Sequence, residues 1–323
     1  MDEISLIRRF WEPLGEAVRH PAVREGIGND GAVIRCEAGE DTVVAVDTLV
    51  EGVHFPASID PSALGWRVLA VNLSDLAAMG AEPVCYTLAL TLPRADEDWL
   101  AAFSAGLRSL STRYGVQLVG GDTTRGPLTV TIQVQGRVPS GRSLRRGGAR
   151  PGDRICVSGA LGSAGEALNW LDERADHSAE VKAVLERYFY PEPRLALGNW
   201  LLERGVAAID VSDGLVSDLG QLLGDGCGAR VNYRALPVTR ELEALAGDRA
   251  RELAASAGDD YELCFLWPSA LGALPDTSDE GLPLTVIGEV EAEPGVRLMD
   301  GGRCVELASP GYSHFSAGRD HGA

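Results

Sequence analysis

"PSGRSLRRGGARPGD", residues 139–153, divides the chain. It is rich in Gly, Pro and Arg, and it has neither the alternation of a strand nor the 3.6-residue period of a helix. A boundary is expected there, near residue 150, giving units 1–150 and 151–323, each of ordinary domain size. Before it, residues 2–20 read as an amphipathic helix with Ile4, Ile7, Phe10, Trp11 and Leu14 on one face. "GIGNDGAV" (26–33) turns into a strand, and "DTVVAVDTL" (41–49) is a second. Pro61 opens a helix whose apolar stripe includes Leu64, Val68, Val71 and Leu76, and Gly80 ends it. A strand over 84–92, a helix over 95–114, a short strand over 116–119 and a long one over 128–138 follow. Beyond the boundary come the strand "DRICVSG" (153–159), helices through residue 204, and "VAAIDVS" (206–212) leading into the helix "DGLVSDLGQLL" (213–223). "YELCFLW" (261–267) and "LTVIGEV" (284–290) are later strands, and the polar tail after Phe315 reads as loose. Helices and strands mix in both units, too irregularly for one doubly wound parallel sheet. The expected class is α+β, two mixed α/β domains.

Composition narrows the function. The chain of 323 residues is 45% hydrophobic and 24% charged, enough for a substantial core. Its formal net charge of −18 argues against nucleic acid or an anionic membrane as partner, since both want a basic face. Lys182 is the only lysine, and no G-x-x-x-x-G-K-[ST] is present, so a phosphate would be met by arginine, backbone N–H groups or metal ions. The six cysteines are widely spaced without a C-x-x-C pair and read as reduced thiols. The N-terminus lacks an apolar signal region and no apolar run approaches ~18 residues, so a cytoplasmic protein is expected. "SGALGSAGEAL" (158–168) has the wrong first spacing for a dinucleotide fingerprint and reads as a tight turn.

The acids are more telling. In "GGDTTRGPLTVTIQVQG" (120–136), Asp122 stands with two threonines and Arg125 before an alternating strand. Asp30, Asp47, Asp75, Asp210 and Asp213 are likewise set in or beside apolar elements. Asp75 shares a helix face with Asn72. Singly, Asp213 could cap a helix, Asp30 could form a turn and Asp122 could cap its loop. Asp47 and Asp75 are harder to dismiss, because a carboxylate in an apolar element is costly unless its charge is met. If these acids converge, pairs ~4 Å apart repel by roughly 4 kcal/mol at an effective dielectric near 20. Hard divalent cations are the remedy, and Mg²⁺ typically bridges carboxylates to substrate phosphates. That is the setting of phosphoryl transfer.

"GIGNDGAV", "VDTLVEGVHF", "NLSDLAAMGAEP", "GGDTTRGPL", "GARPGD", "AIDVSDGL", "GDDYEL" and "GYSHF" together resemble, in order and spacing, the thiamine-monophosphate kinase family within the aminoimidazole-ribonucleotide synthetase superfamily. The resemblance runs from residue 26 to 315. It implies transfer of the γ-phosphoryl group of ATP to thiamine monophosphate, giving thiamine diphosphate. It implies Mg²⁺ ions held by Asp30, Asp47, Asp75, Asp122, Asp210 and Asp213, with Asp122 and Asp213 catalytic. It implies ATP contacts at Gly121, Asp122, Arg146 and Ser212, and substrate contacts at His54, Glu262 and Tyr312. A homodimer joined through the N-terminal domains is also implied. The sequence departs from the family pattern at Asn29, Val46, Ser104 and Asp260. From the residues alone, another ATP-dependent enzyme of the superfamily or a non-catalytic metal- and nucleotide-binding module stays open beside the kinase.

Overall fold

Alternating apolar residues in "TVVAVDTL" build one edge of a four-stranded sheet. In the computed structural model, which describes residues 3–171 and 177–313, this strand is β1 (Glu40–Val50). It is joined by β2 (Glu82–Leu92), β3 (Gln117–Arg125) and β4 (Thr129–Pro139) in the order β1-β4-β2-β3. The β1–β4 and β4–β2 pairs are antiparallel, and β2–β3 is parallel. Successive side chains point to opposite faces. Leu49, Val130, Ile132, Val134, Leu88 and Leu90 face inward and are buried, while Val44 and Val46 stand exposed on the other face. The strand expected over 116–119 continues to Arg125, so Asp122 lies within a strand rather than in the loop before one. The whole of "GDTTR" finds ladder partners along β2, as far as Leu92.

Two helices cover the inner face: α1 (Pro61–Ala78) and α2 (Glu97–Tyr114). Asp60 caps α1 by accepting from the N–H groups of Ser62 and Ala63, and Pro61 occupies the first turn, where no N–H is needed. Nearly every residue of α1 is buried, so it is a core helix and not an amphipathic one. Gly65 and Gly106 let α1 and α2 approach closely; a methyl group on Gly106 would fall onto the Ser62 carbonyl oxygen. Gly106→Ala is therefore expected to destabilise the chain by about 1–3 kcal/mol in urea unfolding. An unchanged midpoint would show room between the helices. The N-terminal segment is helical from Glu3 to Ala17 with a π turn over Ile7–Trp11, which buries Phe10 and Trp11.

A seven-stranded sheet occupies the second half. Its strands are β5 (Arg154–Ser158), β6 (Ala208–Asp210), β7 (Gly228–Asn232), β8 (Leu263–Trp267), β9 (Leu284–Glu291), β10 (Gly295–Asp300) and β11 (Arg303–Val305). The order is β11-β10-β7-β9-β5-β8-β6, with only β10–β7 parallel. Helices α3 (Ala179–Phe189), α4 (Leu195–Arg204) and α5 (Leu215–Leu223) lie between its strands in sequence. The main hydrophobic cluster runs across both halves: Leu69, Leu73 and Leu76 of α1 belong to it with Leu197 and Leu201 of α4 and Phe265 and Trp267 of β8. The tail beyond Phe315, expected to be loose, lies outside the described residues.

Candidate active site

Four of the expected acids meet. Asp47, Asp75, Asp210 and Asp213 line one cleft of about 740 Å³ with His54, Ser212 and Tyr312. Alternation along β1 turns Asp47 inward with Ala45 and Leu49, toward α1. There Asn72, fully buried, accepts the Asp47 N–H at 2.9 Å and donates to the Val68 carbonyl at 2.9 Å. Two residues on, the Ser74 hydroxyl donates to Asp210 Oδ2 at 2.8 Å. "NLSDL" thus ties β1 and β6 to α1 and adds a carboxylate of its own.

The carboxylates are held together against their charge. Burial raises the pKa of Asp47, and the Asp213 charge adds to it. Burial raises that of Asp75, with further upward pressure from Asp210 and Asp47. Asp210 is raised by burial while its Ser74 bond works the other way. Arg146 favours the charged forms of both Asp75 and Asp210, which places the linker guanidinium within electrostatic reach of the acids. Its Nη1 donates to Gln221 Oε1 at 2.6 Å. Among the described residues, no three His, Cys, Asp or Glu side chains close around a single cation position. An all-oxygen donor set of mutually repelling carboxylates still suits a hard divalent cation whose coordination a phosphate would complete.

Asp213 does not cap α5: Gly214 occupies the cap position, and Asp218 takes the free N–H groups. His54 accepts the Val50 N–H on Nδ1 at 3.0 Å, and its carbonyl accepts the Tyr188 hydroxyl at 2.8 Å. Tyr312 is half-exposed, and its N–H donates to the Asp213 carbonyl at 2.8 Å.

Three expected residues lie elsewhere. Asp30, Gly121 and Asp122 line a different cavity, of about 830 Å³, with Trp11, Asn29 and Thr87. Asp47 pairs with Ile132, Ile132 with Leu88, and Leu88 with Gly121. That is three strand spacings, roughly 14 Å. Asp122 itself sits in the next row, beside Ala89 and Thr131, with its side chain on the outer face where Val46 is exposed. Within one chain the six acids do not form one site.

Glu262 is fully buried and is not among the residues that line the cleft. Arg194 donates to both of its oxygens, at 2.8 and 2.5 Å, and Ser158 Oγ donates at 2.6 Å. A glutamate so engaged is an anchor for Arg194. Its neighbours in sequence take the place on the wall: Asp259 and Tyr261 line the cleft, both in the left-handed region, with φ of 69° and 50°. Arg67 of α1, also in the wall, donates to Asp259 Oδ1 at 2.6 Å and to the Tyr188 carbonyl at 2.6 Å, and its guanidinium lies 4.0 Å from the Tyr188 ring centroid. The Tyr261 hydroxyl donates to the same Asp259 oxygen at 2.9 Å. Burial pushes the Arg67 pKa down, and the Asp259 charge more than offsets it, so the guanidinium stays firmly protonated. The sequence held a signal for Arg67, a charge in the Leu64–Val68–Val71 stripe. It held none for Asp259, whose conformation only the fold reveals. Among the departures from the family pattern, Ser104 is buried with its hydroxyl on the Ala101 carbonyl, and Asp260 accepts the Gly162 N–H at 2.7 Å.

The fold and the paired halves define a class. Residues 28–138 match the family model for AIR synthase related protein, N-terminal domain, and residues 150–301 match that for its C-terminal domain. The chain is 44% identical over 321 residues to thiamine-monophosphate kinase of Salmonella typhimurium, covering 97% of this chain and 98% of the relative. It is 33% identical to that of Bacillus subtilis, covering 98% and 100%. Thiamine-monophosphate kinase from Stenotrophomonas maltophilia superposes with a TM-score of 0.82 at 41% identity, covering 94% and 98% of the two chains. AaThiL complexed with AMPPCP and TMP superposes with a TM-score of 0.77 at 28% identity, covering 97% of each. The chain belongs to the thiamine-monophosphate kinase family.

Proposed function

We propose that this chain transfers the γ-phosphoryl group of ATP to thiamine monophosphate, yielding ADP and thiamine diphosphate. The observation that carries the reading is the convergence of Asp47, Asp75, Asp210 and Asp213 with His54, Ser212 and Tyr312 in one cleft. The acceptor is itself a phosphate, with a second pKa near ~6, and is anionic at neutral pH. No general base is needed to make it a nucleophile. An acceptor oxygen bonds to the γ-phosphorus, the bond from that phosphorus to the bridging oxygen breaks, and the leaving electron pair stays on ADP. The protein's task is positioning and charge neutralisation.

Asp47, Asp75, Asp210 and Asp213 would hold Mg²⁺, which lets several anions coexist and draws charge from the phosphate oxygens. Arg146 meets the nucleotide phosphates, as a guanidinium can do through two parallel donors. The Ser212 hydroxyl faces the same cleft. His54 and Tyr312 flank the acceptor. Asp30, Gly121 and Asp122 complete the site from a second copy of the chain, joined through the open face of the four-stranded sheet where Val44 and Val46 are exposed. The boundary between the two units lies near residue 150. No described helix is long and apolar enough to cross a membrane, and a cytoplasmic enzyme fits this chemistry. ADP release that depends on both Mg²⁺ and thiamine monophosphate, with product identified by mass, tests the reading. Nucleotide turnover with other acceptors and none with thiamine monophosphate would overturn it.

The raised carboxylates add a linkage prediction. Asp47, Asp75 and Asp210 bind protons more tightly when folded than in the unfolded chain. Above the ordinary carboxylate pKa the folded state therefore holds more protons, and the stability these groups contribute falls as pH rises through their raised values. A cation bound only by the folded, ionised site reverses the loss. Saturating Mg²⁺ is expected to raise Tm more at pH 8 than at pH 5.5. Equal gains at both would place the cation away from these acids.

A further inference from the structure

The geometry points to α5 as the element that positions the triphosphate end of the site, with Asp218 fixing the Ser212–Gly214 loop and Gln221 fixing Arg146. The inference rests on the nucleotide chemistry proposed above and adds two residues to it, neither of which touches a ligand. Asp218 is 2% exposed, and its Oδ2 accepts three consecutive N–H groups, from Ser212, Asp213 and Gly214, at 3.0, 3.0 and 3.1 Å. Gly214 is at the cap of α5 and the other two donors precede it; a run of free N–H groups leading into a helix ordinarily attracts an anion. Here the helix supplies the anion from its own first turn.

Two consequences follow for the loop. Its N–H groups are engaged by Asp218, and the Ser212 and Asp213 carbonyls accept the Asp259 and Tyr312 N–H groups, so Ser212 and Asp213 meet a nucleotide or cation mainly through their side chains. The direction of those side chains is set by the backbone that Asp218 holds. Three residues on, Gln221 accepts from Arg146 Nη1 at 2.6 Å, and the neighbouring Leu222 carbonyl accepts the Gly147 N–H at 2.8 Å. Arg146 stands in a glycine-rich segment, and a guanidinium on a long, flexible stem loses orientation without a second anchor. α5 also receives the chain end: the Ser217 N–H donates to the Pro310 carbonyl at 3.2 Å, and Tyr312 is seated on the Asp213 carbonyl. One helix thus sets the loop that carries two expected ligand residues, the linker arginine and the segment of Tyr312.

A merely structural cap would change stability and leave ligand preferences alone. The test measures binding of a non-hydrolysable ATP analogue and of Mn²⁺ to the full chain, by calorimetry and electron paramagnetic resonance, beside steady-state kinetics. Gln221→Ala is expected to weaken the analogue about tenfold and raise KM for ATP similarly, as loss of a supporting partner does. Its kcat, its KM for thiamine monophosphate and its Tm should be unchanged. Gln221→Glu, which keeps the acceptor, should restore binding. Asp218→Ala is expected to weaken Mn²⁺ by about tenfold or more in protein that keeps its near-ultraviolet dichroism. If Asp218→Ala does not fold, the Gln221 pair decides. Variants that bind like wild type overturn the role of α5 while leaving the kinase reading intact. A wild-type chain that binds no analogue overturns both.

Discussion

Replacing Asp75 by Asn is expected to lower kcat by about 10²–10³-fold while raising the Tm of the cation-free protein. The two effects share one cause. Asp75 is a buried carboxylate whose charge is disfavoured by burial and then by Asp210 and Asp47. Turning it into an amide keeps its size, removes that repulsion and stabilises the empty fold. It also removes a charge that, on the proposed reading, helps hold cations against the transferring phosphoryl group. A variant that loses activity and stability together would be explained by damaged packing of α1. A variant that keeps its activity would remove Asp75 from the site.

Replacing Asp122 by Asn is expected to lower turnover to a comparable degree, and activity is expected to return on mixing with the Asp75→Asn protein. This follows from where the fold puts the two acids: Asp75 is on α1, in the cleft with Asp47 on the inner side of the sheet, and Asp122 is on β3 with its side chain on the outer face, three strand spacings from β1. If each site takes Asp75 from one chain and Asp122 from the other, a mixed dimer places both substitutions in one site and leaves the other site whole. Random reassortment makes half the dimers mixed, each with one good site of two, so about a quarter of wild-type activity returns. Size-exclusion chromatography of the mixture establishes that dimers have exchanged. Exchange without recovery would mean that Asp122 serves its own chain, or no site at all.

Much of this was legible before any coordinates. The strong periodicities placed α1, α2, β1 and β4 to within a few residues, because burial on one face dictates their pattern. Asp47 and Asp75 stood out because each interrupted such a pattern. The side of the sheet on which Asp122 sits was not legible. That depended on reading "GDTTR" as strand, and the glycines and aspartate of "GGDTTRG" look like a loop until β2 supplies the ladder. The burial of Glu262 was not legible for a related reason: a glutamate beside a strand is ordinarily exposed, and Arg194, Arg187 and Ser158, all distant in sequence, make its burial tolerable. The adjacent Asp259 escaped notice, since nothing local signals a left-handed aspartate held by an arginine 192 residues away.

The hydrophobic cluster shared between α1, α4 and β8 bears on how the enzyme moves. The segment 139–153 looks like a flexible joint, yet the bodies on either side of it are fused by packing and by the Arg67–Asp259 bridge. Gaping and shutting like a jaw around the substrates would have to break that packing. The pieces at the rim of the cleft are the stretch around His54 and the segment that carries Tyr312, and access and release are expected to fall to them.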